Sequence, residues 1–124
     1  MKKLNFVQQI SNNDCGQACV SMILKEKVDS KLTLGQIGYI IHSNKNGTKN
    51  LDIKKGLEKL GIYTEICECE KNNQVFNEIN YPVITQTLCS GENHYIVLYG
   101  VKNKKIIVAD PLSKGIKKFL WILL

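Results

Sequence analysis

The hydrophobic period of this chain changes at Gly61. Upstream, apolar residues recur at helical spacing; downstream, they alternate or fall into short branched and aromatic blocks. Helices followed by a run of strands predict an α+β domain, with N-terminal helices packed on a C-terminal antiparallel sheet. The first helix is expected from Cys15 to about Lys25. Ala18, Cys19, Met22 and Ile23 share a face there, and Val20 and Leu24 add a second apolar side. Such a helix is buried nearly all round. Ser11, Asn12, Asn13 and Asp14 crowd its start and are residues of the N-cap type. Further helices are expected over Thr33–Ile41 and Leu51–Leu60, with Ser43–Asn50 as a loop and Gly61 as a stop. Strands are expected over Ile62–Cys69, around Val83-Ile84-Thr85, over His94–Val101 and Lys105–Ala109, and over Ile116–Trp121.

The 124 residues suit one domain, 1–124, with an ordinary core. Apolar residues are 44% and charged residues 23%, which excludes a disordered chain. Five cysteines (Cys15, Cys19, Cys67, Cys69 and Cys89) are an odd set at irregular spacing. With no signal-peptide pattern after Met1, they predict free thiols in a reducing, cytoplasmic setting. The net charge of +6 suits an acidic partner. Lysines such as Lys102, Lys104 and Lys105 fall at a turn without an aromatic platform, so nucleic acid is not expected as a partner.

Three residue types needed for thiol chemistry stand at element ends. Cys15 heads a helix, where unpaired backbone N–H groups and the helix dipole favour thiolate over thiol. Gly16 leaves room beside it for a substrate backbone. Cys19, one turn on, is read as core. His94 opens a strand and Asp110 closes the next one. A hairpin turning around Val101–Asn103 would set the two opposite each other, with Asn103 in the left-handed conformation. A carboxylate in that place can fix the imidazole tautomer and stabilise the imidazolium. An acyl-transfer enzyme also needs oxyanion donors. Gln8 and Gln9 lie just upstream of Cys15, and a glutamine amide with the Cys15 N–H could supply them. His42 begins a loop and is read as a surface residue.

The string from Gln9 to Ile23, with Gln9 six residues before Cys15 inside Asp14-Cys15-Gly16, resembles the N-terminal peptidase domain of bacteriocin-processing ABC transporters. These are papain-like cysteine endopeptidases. Asn93-His94-Tyr95 before an apolar strand resembles the family's histidine motif. Asp110-Pro111 with Gly115 resembles its aspartate motif, and Leu51–Ile62 its middle helix and following strand. The likeness runs from about Gln8 to Lys118. It implies that Cys15 is the nucleophile, His94 the base, Asp110 the orienting group and Gln9 the oxyanion donor, with no cofactor and no metal. It also implies a substrate: a precursor peptide whose leader is removed after a double-glycine-type site. The implied partners are the membrane and ATPase domains of an ABC transporter, and the implied place is the cytoplasm or the cytoplasmic face of the plasma membrane. As an isolated domain it is expected to be a monomer.

Three other readings remain open at this level. A leader-binding module without activity would share the fold. Another papain-like acyl transferase would share the three groups. A metal site built from Cys67, Cys69, Cys89 and His94 would need a spacing unlike the usual zinc knuckle.

Overall fold

The computed structural model describes residues 4–68, 73–89, 92–113 and 115–120. Trp121 and Cys69, which close two of the expected strands, lie outside them. The first helix, α1 (Cys15–Lys27), is buried from Ala18 through Leu24 on every side, as its double apolar face requires. α2 (Leu34–Ile40) begins at a capping box. Gln36 N–H donates to Thr33 Oγ1 at 3.1 Å, and Thr33 N–H donates back to Gln36 Oε1 at 2.9 Å. α3 (Asn50–Lys59) ends in a Schellman turn. Gly61, at φ 86°, donates to Glu58 O and Ile62 to Leu57 O. Inside α3, Gly56 allows close packing on α2's end, since a Cβ there would sit 2.6 Å from Ile41 Cγ2.

The strands β1 (Val83–Cys89), β2 (Glu92–Lys102), β3 (Lys105–Ala109) and β4 (Ile116–Leu120) form one antiparallel meander in chain order. Side chains alternate between its two faces. Tyr95, Val97 and Ala109 join the main core with α1, α2 and α3. Leu98, Ile106 and Val108 form a second, smaller core with Phe76. Phe76 lies on a short helix, α4 (Asn73–Glu78), which the sequence reading did not include. Two apolar residues in six give too little periodicity to recognise.

Two expectations are corrected. The 62–68 stretch joins no sheet among the described residues. The inward side of its alternation reaches only Ile62, which packs on the core, and Thr64; Ile66, in the same phase, is 50% exposed like its neighbours, and no strand among the described residues pairs with this stretch. The β2–β3 turn is Asn103-Lys104 rather than Val101–Asn103. Lys102 pairs with Lys105, and both turn residues have positive φ, 53° and 63°, the pattern of a two-residue type I′ turn. The register then slips between Leu98 and Gly100, which leaves Tyr99 as a bulge. No helix of the described residues is long and apolar enough to cross a membrane.

Candidate active site

Cys15 is the first residue of α1 and is half-buried, so its sulfur is not sealed in the core. No side chain caps the helix start. Asp14, expected to cap, turns its carboxylate the other way: Oδ2 accepts from Ile10 N–H and Oδ1 from Ser11 N–H, both at 3.0 Å. The N–H groups of the first turn of α1 thus remain unclaimed by a capping group, which favours negative charge beside them. Gly16 does not open space for a substrate. A Cβ there would lie 3.0 Å from Thr48 Oγ1 and 3.7 Å from the Tyr95 ring, so this glycine lets the 48 loop and β2 close on α1.

His94 lies near the start of β2, opposite Thr87 of β1, and is 5% exposed. Asp110 is the first residue after β3. The last β2–β3 pair is Val97 with Ala109, so the residue across from Asp110 is Ile96, and His94 lies diagonally from it. Diagonal neighbours share a face and come within reach of longer side chains. His94 Nε2 and Asp110 Oδ1 are 2.6 Å apart. The expected pair therefore forms, one diagonal step away from the directly opposed position. Leu112 N–H also donates to Asp110 Oδ1, at 2.9 Å, and Ser113 donates to Asp110 O through both N–H and Oγ. The aspartate is thereby locked, and with it the imidazole. Nε2 is committed to Asp110, which leaves Nδ1 as the ring nitrogen for proton transfer.

Gln9 is tied to this corner by its backbone, with its N–H donating to Pro111 O at 3.0 Å. Its side-chain Nε2 donates to Ser11 O at 2.7 Å, while Oε1 is buried without a partner. The amide has a second N–H to offer. Cys15 packs on the core cluster that contains Tyr95, the residue after His94. No hydrogen bond joins Cys15 to His94 among the described residues.

The neighbours of the site are structural. Burial, then the nearby Cys15 and Asp110, push the Cys19 thiol well above its ordinary value, which keeps it a neutral core residue. The Tyr95 hydroxyl lies within hydrogen-bond reach of two acceptors, Thr48 O at 2.8 Å and Asn50 Oδ1, which share its one proton, and its burial, with lesser help from Cys15, pushes its pKa up to about 12. Tyr95 and Thr48 were missed by sequence reasoning; a tyrosine in a branched strand gives no sign of the loop it holds. His42 is exposed, as expected, though Asp52 lies 3.8 Å from its Nδ1. The metal alternative loses His94 to Asp110, and among the described residues no three ligands cluster. Cys67 is exposed, while the Cys89 side chain, like Cys69, lies outside the described set.

A half-exposed cysteine heads a buried helix that packs on a sheet carrying a locked histidine–aspartate pair, and these are the parts that cysteine peptidases use. The chain belongs to the Peptidase C39 family, whose model matches residues 3–120. It is 32% identical over 119 residues to the lactococcin-G-processing and transport ATP-binding protein LagD of Lactococcus lactis, covering 95% of this chain and 16% of that protein. It is also 32% identical over 123 residues to the sublancin-168-processing and transport ATP-binding protein SunT of Bacillus subtilis, covering 94% of this chain and 17% of that protein. Among solved structures it resembles the peptidase domain of Streptococcus ComA, a bi-functional ABC transporter involved in quorum sensing. The TM-score is 0.80 at 28% identity, over 95% of this chain and 87% of that one. A double glycine motif protease from an AMS/PCAT transporter, solved with its leader peptide, shares the fold at TM-score 0.79 and 23% identity, over 95% and 80% of the two chains.

Proposed function

We propose that this chain is one peptidase domain, a cysteine endopeptidase that removes the leader from a bacteriocin or peptide-pheromone precursor by cutting after a double-glycine-type site. The observation that carries this is the 2.6 Å His94–Asp110 pair beside the helix headed by Cys15. Relatives named for processing and transport of such peptides support the substrate class. By the same likeness, the domain works with the membrane and ATPase parts of an ABC transporter, at the cytoplasmic face of the plasma membrane.

In the proposed reaction, Cys15 passes its thiol proton to His94 Nδ1 and the thiolate attacks the carbonyl of the second glycine. The resulting oxyanion is held by the Cys15 N–H and by the second N–H of Gln9 Nε2. The imidazolium, stabilised by Asp110, protonates the leaving amine of the mature peptide, and the leader remains as a thioester on Cys15. Water gives a proton to His94 and attacks the thioester. The leader leaves with a carboxylate, and the sulfur recovers its proton. A narrow cleft that admits only small side chains next to the scissile bond would set the double-glycine preference, while an amphipathic leader helix adds affinity elsewhere. The net charge of +6 favours leaders rich in Asp and Glu.

Mass spectrometry of a synthetic leader–Gly-Gly–peptide substrate, mixed with wild type and with Cys15→Ala, tests the reading. Wild type is expected to give two fragments separated after the second glycine, and the variant none. Binding by the wild type without a cleaved product would instead make the chain a leader-binding module. A cleavage affinity independent of salt would remove the role given to charge.

A further inference from the structure

We propose that Asp14 is a positioning residue for the oxyanion donor, acting through the backbone of Ile10 and Ser11 on Gln9. The proposal rests on Gln9 serving as the donor described above. Asp14 is 8% exposed, and a carboxylate so buried needs partners for its charge. As the residue before α1, its ordinary use would be to cap the first turn, yet it makes no capping bond. Both oxygens are spent instead on two successive N–H groups, those of Ile10 and Ser11, at 3.0 Å each. Charge-assisted bonds of this kind are the strong ones, and two on one carboxylate fix a dipeptide in place.

That dipeptide bears directly on Gln9. Ser11 O is the acceptor that holds Gln9 Nε2 at 2.7 Å and so fixes the rotation of the amide. On its other side, Gln9 N–H is held by Pro111 O, next to the aspartate that locks His94. The side-chain oxygen of Gln9, Oε1, is buried and finds no hydrogen-bond partner among the described residues, so none of them fixes that end of the amide. Among the described residues the bond to Ser11 O is the one hydrogen bond that holds the side chain, and Asp14 holds the backbone that supplies it. One residue thus links the nucleophile, which follows it in the chain, to the oxyanion donor five residues before it.

A double-mutant cycle between Asp14 and Gln9 tests this on the leader–Gly-Gly substrate. Gln9→Ala is expected to lower kcat by about 10²- to 10³-fold, the usual cost of losing an oxyanion donor. Asp14→Ala is expected to lower kcat by roughly 10- to 100-fold, the scale of a misplaced group, with KM little changed. Added to Gln9→Ala, it should cost no more than about twofold further, because the donor it positions is already gone. Asp14→Asn keeps one acceptor and should fall between wild type and Asp14→Ala. Circular dichroism melts fix the folded fraction of each variant, and should Asp14→Ala not fold, the cycle is read with Asp14→Asn. Losses that multiply in the double variant would overturn the proposal and make Asp14 a general support of the helix start. A harmless Gln9→Ala in an enzyme still killed by Cys15→Ala would overturn it too, with the peptidase reading intact. Retained cleavage by Cys15→Ala would sink both.

Discussion

The head of α1 and the open end of the β2–β3 hairpin build the two halves of the proposed site by different means. Before Cys15 the side-chain bonds of Asp14 and Gln9 are short-range: Asp14 reaches back three and four residues, and the Gln9 amide reaches forward two, while one backbone bond, Gln9 N–H to Pro111 O, ties this stretch to the hairpin. The His94–Asp110 pair spans sixteen residues and depends on sheet register. A two-residue turn and a bulge at Tyr99 together place Asp110 on the diagonal from His94. The half proposed for the nucleophile is therefore written mostly in a contiguous stretch of chain, whereas the half proposed for the base is a product of topology. Damage to the first should be local, and the second can be broken or tuned from a distance.

The largest effects should come from the hairpin end. His94→Ala is expected to lower kcat on a leader–Gly-Gly peptide by about 10³-fold or more, the usual scale of a lost acid–base group. Asp110→Ala should cost about 10²-fold, since the imidazole survives but loses its orientation. Asp110→Asn should cost roughly tenfold or less, because an amide oxygen still accepts from Nε2–H, as in the Cys-His-Asn arrangement of related proteases. Equal losses for Ala and Asn would mean that the charge matters and the geometry does not. At the helix end, the contrast lies between Cys15 and Cys19, one turn apart. Brief alkylation of the folded protein at neutral pH, read site by site by mass spectrometry, should label Cys15 at least about tenfold faster, since burial keeps Cys19 a neutral thiol. Equal labelling would remove the case for an activated sulfur.

The same division governs what could be read from the sequence. The helix head was legible as a motif because its residues are neighbours: Gln9, Asp14 and Cys15 stood out together. What each neighbour does was less so, since Asp14 has the composition of a cap and Gly16 that of an opening, and only packing shows otherwise. The hairpin was legible in its strands and its partners. Its turn was not, because Asn103 is compatible with several loop lengths, and a lysine at the second position of a type I′ turn breaks the usual Asn-Gly pattern. A bulge leaves no mark on the alternation of Tyr95, Val97 and Tyr99. The turn was misread and the direct opposition with it, yet the pair still forms because diagonal neighbours share a face and His94 is long enough to reach Asp110. The strand expected at Ile62–Cys69 failed for a related reason: alternation in sequence settles neither whether a face is buried, since Ile66 is exposed, nor whether a partner strand exists.

Gly16→Ala separates the two roles offered for that residue. If Thr48 fills the space, the added methyl must push the 48 loop off α1, and the fold should lose about 1–3 kcal/mol, the usual cost of overpacking. Thermal unfolding would show it as a lower Tm, and pairing the change with Thr48→Ala should recover part of the loss. Were the space reserved for substrate, the Tm would hold and KM would rise.

The smallest expected effect comes from the closed end of the hairpin, far from chemistry. Lys104 sits at φ 63°, a conformation that costs a side-chain-bearing residue about 1–2 kcal/mol. Lys104→Gly removes that strain and completes an Asn-Gly pair, but frees the unfolded chain by roughly 0.4–1 kcal/mol. The balance favours the variant by about 0.5–1 kcal/mol, visible as a rise in Tm of about 2–5 °C for a domain of this size. The rate of leader cleavage should not change, because the register of Val97 with Ala109 is set beyond the bulge. A rise in Tm with a change in kcat would show that the turn is coupled to the His94–Asp110 pair through the strands, and that the bulge does not insulate the two ends.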